Sequence, residues 1–529
     1  MRTSFLGVIG LLLVAACSGG GGTYISGPGA GSSGGAGSSD KDPNSTLPGD
    51  EGSSVPKSVT AKLAGDLAIT EVALFQGLKA TIAKSGNAAT PSIPLVAARD
   101  ALVRVYVKPA SGYKARSLKA VLSLLDGDGK PLKAISDTKK LSSASTDGNA
   151  ESTFNFTVPG QYLPLGVQYS VAVTDENADP VADGTDSSAR FPTDGTSADL
   201  GVKSAGPSLK IVIVPVKYTA DGSGRLPDTS AAQLQIDRDV AFARYPVPNV
   251  EVTVRQPFTW GSTVKGSGQG WSELLQALAD LRERDGVDDD VYYWGAFNAA
   301  PSEAQFCGGG CVAGLSTVVS DPRDAYFRAS IGVGFHGESA AETMAHEVGH
   351  AHGRNHAPCS DFGSIDGVDP AFPSSGHPDA TLGTWAYDLV NQSFIAPTDA
   401  HDMMSYCSPT FVSDYTYKGL FDRLSTVNKG KALPAAPAAG SSSSNREAFQ
   451  FVTIGADGPE SFGKIVTPRR APIGEPREVQ LLDAKGAVKA TVRGSYFAFD
   501  HLPGGFVMIP QTTPYAAIRV SGYSRVLTK

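Results

Sequence analysis

Eleven consecutive residues, His346-Glu347-Val348-Gly349-His350-Ala351-His352-Gly353-Arg354-Asn355-His356, carry the densest chemistry in the sequence. On a helix His346 and His350 share one face, where two imidazole nitrogens reach one metal ion at about 2 Å each. Glu347, beside the first histidine, reaches water held at that metal and takes its proton, the part a glutamate plays in the H-E-x-x-H pattern. Gly353 adopts a positive φ that other residues resist, so it ends the helix and turns the chain back to bring His356 to the same ion. Three histidines with one position left open describe one catalytic Zn2+ ion and not a closed structural site. His352 lies roughly 200° round the helix from His350 and is expected to point away as a solvated side chain. Ser339-Ala340-Ala341-Glu342 reads as a capping box one turn ahead of Met344-Ala345-His346.

Downstream stands His401-Asp402-Met403-Met404-Ser405-Tyr406. With this second stretch, the eleven-residue motif resembles the metzincin clan of zinc endopeptidases. The resemblance implies that Met404 passes beneath the metal in a methionine turn. It further implies that Tyr406, placed as in the astacin and serralysin versions, approaches the zinc and stabilises an oxyanion. Ala357 and Pro358 follow the third histidine and match none of the well-known families of the clan. Metzincins also carry an edge strand that binds extended substrate, and the run from Gly314 to Val318 is either that edge, which a peptide extends as a further strand, or an ordinary interior strand.

These residues need elements to hold them. Met1-Arg2 and the apolar run Phe5 to Ala16 form an export signal, too short to span a bilayer as a mature helix. The run ends in Val14-Ala15-Ala16-Cys17, which resembles the bacterial lipobox, and implies a lipid on Cys17. The domain boundaries follow composition: 1–17 signal segment, 18–56 Gly/Ser-rich tether, 57–205 β-sandwich, 206–430 metalloprotease domain, 431–446 linker, 447–529 small β-domain. Alternating runs such as Val103-Arg104-Val105-Tyr106-Val107 and Phe154-Asn155-Phe156-Thr157-Val158 indicate the sandwich. Asp126-Gly127-Asp128-Gly129 lacks the ligands of a calcium loop and reads as a hairpin turn. From Leu209 strands alternate with helices, at Ser230 to Tyr245, Val250 to Val254, Ser272 to Arg284 and Val291 to Phe297, with a further helix starting near Ser413. The expected fold class is therefore multidomain: an α+β metzincin-like catalytic domain between an N-terminal immunoglobulin-like β-sandwich and a small C-terminal β-domain.

Four cysteines besides Cys17 lie in the central region, an even number in an exported chain. Cys359 and Cys407, each three residues past a residue of the zinc site, are placed to pair, and the three glycines between Cys307 and Cys311 permit a small loop. Zinc ligation by these thiols is the competing idea. A net charge of -8 and a pI near 5.6 argue against nucleic acid as a partner. The expected function is a zinc endopeptidase acting on an extracellular protein or glycoprotein substrate, tethered by lipid in the bacterial cell envelope, at the outer membrane or cell surface. The alternative is a surface lipoprotein that binds a protein or glycan through its β-domains and keeps the protease fold as a scaffold.

Overall fold

The computed structural model describes residues 62–175, 187–360, 367–428 and 447–529. Cys17, the tether and the linker lie outside these residues. Alternation dictates the first unit. Along Arg116–Leu125 the inward residues Leu118, Ala120, Leu122 and Leu124 are buried, and this strand pairs antiparallel with Pro131–Leu141 and Gln168–Thr174. A second sheet holds Leu67–Phe75, Gly77–Lys84, Ala101–Pro109 and Phe154–Val158. A hairpin from far downstream, Ala386–Asp388 with Ser393–Ile395, extends that sheet beside Gly77 and Leu78.

The apolar strand Leu209–Tyr218 is central to the next sheet, as its nearly continuous hydrophobicity requires. Its neighbours Val250–Val254 and Val291–Phe297 are parallel, Ala329–Val333 continues the parallel run, and Gly314–Leu315 closes the edge antiparallel. Helices α1 (Ala231–Arg244) and α2 (Trp271–Asp285) form the crossovers, followed by the short α3 (Glu303–Cys307), α4 (Glu338–Ala351) and α5 (Asp414–Val427). Ser230 and Ser413 cap α1 and α5 through their hydroxyls. The capping box expected at the start of α4 does not form. Glu342 turns instead to Arg244 and Thr410, and the side chain of Gln233 on α1 binds the N–H of Gly337 at 2.7 Å and its carbonyl at 3.2 Å.

Beyond residue 447 a seven-stranded antiparallel sheet runs in the order Gly458–Val466, Phe449–Gly455, Gly505–Pro510, Val488–Ala498, Glu475–Leu482, Ala517–Val520, Val526–Thr528. Its aromatic face packs on the α2 side of the central sheet, with Phe327 4.4 Å from Phe497 and 5.7 Å from Phe506 between ring centroids.

The expected fold class is corrected on two counts. With 38 % strand against 17 % helix among the described residues, the structure is mostly β, with curled sheets, and is not an α+β metzincin-like catalytic domain with appended modules. Nor are the flanking units independent. One apolar core runs from the sandwich through α1, α4 and α5, and a second runs from α2 into the C-terminal sheet. The physical reason is that periodicity reveals which face of an element is apolar but not what covers it.

Candidate metal centre

Helix α4 carries His346, Glu347 and His350, and the chain then reverses. Gly353 has φ +80°, and a Cβ there would sit 2.6 Å from the carbonyl of Val319. Its N–H donates to the carbonyl of His350 at 2.7 Å, and His356 follows on a segment paired with Gly367 and Asp369. The Nε2 of His350 lies 3.0 Å from that of His346 and 3.2 Å from that of His356. Each outer nitrogen is fixed by a carbonyl: His346 Nδ1 donates to Met403 at 2.7 Å, and His350 Nδ1 donates to Arg354 at 2.6 Å. Both rings therefore present an unprotonated Nε2 to the same point. Burial, reinforced by His501, pushes His346 down to about 3, and burial holds His350 well below the ordinary range, so neither relieves the crowding by taking a proton. Convergent lone pairs in a desolvated place repel one another unless a cation lies between them, and this spacing fits zinc bound at about 2.0–2.1 Å per nitrogen.

Beneath the helix, Gly349 leaves room for a thioether, since a Cβ there would meet Met404 Sδ at 2.6 Å. Asp402, fully buried, shapes this turn by accepting from the N–H of Met404 at 2.7 Å and of Ser413 at 2.9 Å. Cys359 is joined to Cys407, Cα atoms 5.8 Å apart, tying the chain after His356 to the chain after Met404. Cys307 is joined to Cys311. With all four sulfurs in disulfides, thiolate ligation of zinc has no donor among the described residues.

Two residues that sequence reasoning missed complete the site. Asp500 and His501 arrive from the C-terminal sheet, and a ring nitrogen of His501 lies within 4.8 Å of one from each of His346, His350 and His356. His501 Nε2 is 2.9 Å from Oε1 of Glu347, and its Nδ1 meets the hydroxyl of Tyr406. That hydroxyl is also 3.3 Å from His356 Nε2. Burial pushes Glu347 up to about 8, with a hydrogen bond to Asp500 opposing, and burial raises Asp500 well above the carboxylate range, so this carboxyl pair retains a proton near neutral pH. No ligand spacing surrounds His501 in the sequence, so no local signal could have found it. His501 lies beside the position that the three-histidine reading leaves open. His352 differs from expectation. It does point away from the metal point, but it is buried, stacked 4.1 Å from Tyr292 and bonded to the carbonyl of Val348.

No family model matches the chain, and no curated protein matches it. Among solved structures, matches include a Bacteroides fragilis protein provisionally assigned as a beta-galactosidase (13 % identity, 45 % of this chain and 34 % of that chain, TM-score 0.14). Others are Bacteroides uniformis beta-glucuronidase 2 (11 %, 46 % and 26 %, TM-score 0.15) and a Parabacteroides merdae beta-glucuronidase (12 %, 45 % and 30 %, TM-score 0.13). The matched region thus spans at most about a third of those chains, the largest share being 34 %. These proteins are enzymes by name, and none is a zinc endopeptidase. At such TM-scores the alignments assign neither a fold nor a substrate to this chain. The expected endopeptidase acting on extracellular or surface proteins is corrected: the solved structures that match carry glycosidase names, and no comparison returns an endopeptidase. The C-terminal sheet forms one wall of the metal centre through Asp500 and His501.

Proposed function

We propose that the chain is a metal-dependent hydrolase in which His346, His350 and His356 hold one zinc ion and Glu347 is the general base. The observation that carries this reading is the convergence of neutral imidazole nitrogens at 3.0 and 3.2 Å beside a buried carboxyl group. The likeness of the motif and of the methionine turn to metzincins supports the metal and base assignments, and it is not extended to the bond cleaved. Bound zinc supplies Lewis acidity and brings the pKa of water toward ~7. Glu347, one residue from a ligand, takes a proton from water and returns it to the leaving atom. The hydroxyl of Tyr406 donates to the oxygen on which negative charge grows. Asp402 and Met404 keep His346 aimed by fixing the carbonyl of Met403 that holds its Nδ1. A carbonyl carbon, which gains oxyanion character on attack, is the centre that this set of groups suits.

The test measures zinc content and hydrolysis of small chromogenic esters and anilides on the same full-chain samples. Glu347→Gln is expected to keep the metal and lose at least about 100-fold in rate. His350→Ala is expected to lose both. A parent that takes up no zinc, or a Glu347→Gln variant as fast as the parent, overturns the reading.

A further inference from the structure

We propose that Ala498-Phe499-Asp500-His501 is a built-in occupant of the metal cleft, which lies along the edge of the central sheet as an added strand and supplies His501 as a fourth metal ligand. The folded chain is then the closed form of the hydrolase, an inference that rests on the metal assignment above. The edge strand Gly314–Leu315 leaves the backbone of the following residues without a sheet partner of its own unit. The C-terminal segment provides one. The N–H of Val318 donates to the carbonyl of Ala498 at 3.2 Å, the N–H of Asp500 donates to the carbonyl of Ser316 at 3.4 Å, and Thr317 faces Phe499 in an antiparallel bridge. Asp500 adds a side-chain bond, accepting from the N–H of Ser316 at 2.9 Å. This is the way an extended peptide docks on a sheet edge.

The segment is anchored rather than loosely laid. Phe497 and Phe499 belong to the aromatic core shared with α2, with Phe499 4.8 Å from Phe506. Two residues past Phe499, the ring of His501 stacks 5.2 Å from His346 and 5.4 Å from Tyr406. Its two nitrogens touch Glu347 and Tyr406, so the one that ligates a bound metal gives up its present contact with the base or with the oxyanion donor. A fourth nitrogen ligand turns an open zinc site into a closed one. Because the ligand belongs to the same chain, its effective concentration is of order mM or above, and a substrate must displace it.

Cobalt(II) loaded into the full chain in place of zinc reports the coordination through its visible spectrum, with azide as the probe of an open position. The parent spectrum is expected to stay unmoved by azide, whereas His501→Ala and the nearly isosteric His501→Gln shift, with at least about tenfold tighter azide binding and faster loss of cobalt to a chelator. A parent that takes azide as readily as both variants overturns the proposal. So does a site opened by Asp500→Asn but not by His501→Gln. Failure of every form to bind cobalt overturns the metal site itself, and this proposal falls with it.

Discussion

The ring of His352 lies nearly parallel to that of Tyr292 and 5.4 Å from that of Tyr245, and its Nδ1 donates to the Val348 carbonyl at 2.7 Å. It fills the core on the side of α4 away from the ligands. His352→Ala is therefore expected to cost about 2–4 kcal/mol of stability through the cavity it leaves, with zinc stoichiometry unchanged. Denaturant unfolding and metal analysis on one preparation check this, and a variant that loses zinc while unfolding normally would place His352 in the ligand sphere. At this scale the sequence was informative wherever chemistry is local. His346, Glu347, His350 and Gly353 are legible because helical spacing and a single left-handed residue decide where they point. Asp402 and His501 are not, since each acts through a contact that no periodicity encodes. His352 shows the same limit from the other side: its phase on the helix was readable, but the two tyrosines that bury it come from other elements.

Helices α1 and α4 are joined end to side. Gln233 satisfies the start of α4 at Gly337 and also donates to Asp237 Oδ1 at 2.9 Å, taking over the task the sequence assigned to Ser339 and Glu342. The helices and central strands were legible from their apolar periods. The cap was not, because the side chain that accepts from the Gly337 N–H lies 104 residues away. Burial raises Asp237 from 3.8 to about 6, with the bond from Gln233 opposing. The folded chain thus holds this proton more tightly than the unfolded chain, so the associated stability is present below about 3.8 and is lost as pH rises through about 6. Asp237→Asn keeps an acceptor for Gln233 and has no charge to bury. It is expected to exceed the parent by about 1–3 kcal/mol at neutral pH and to match it near pH 4. Unfolding midpoints of both proteins across that range check the sign, and parallel curves would show that Asp237 is not desolvated.

Across the whole molecule, Arg99 tests whether the sandwich and the metal-bearing unit form one cooperative body. Its guanidinium is completely buried, yet it makes no ion pair among the described residues and is held by carbonyls: Gln76 at 3.3 Å, Phe242 at 2.6 Å, and Val247. Phe242 and Val247 belong to α1 and the turn after it, while Gln76 sits between two sandwich strands and accepts from the hydroxyl of Tyr417 on α5 at 3.3 Å. The cation also lies 4.3 Å from the ring centre of Phe242. Arg99→Met fills much of the space but leaves those carbonyls without donors in a place water does not reach. Each stranded acceptor costs about 1–3 kcal/mol, so the variant is expected to lose at least about 3 kcal/mol. If the shared core makes one unit, calorimetry will show a single transition for the sandwich and the metal-bearing region, moved down as a whole. Two separated transitions, with only the sandwich weakened, would mean that the common core does not couple them and that α4 stands without support from the N-terminal sheets.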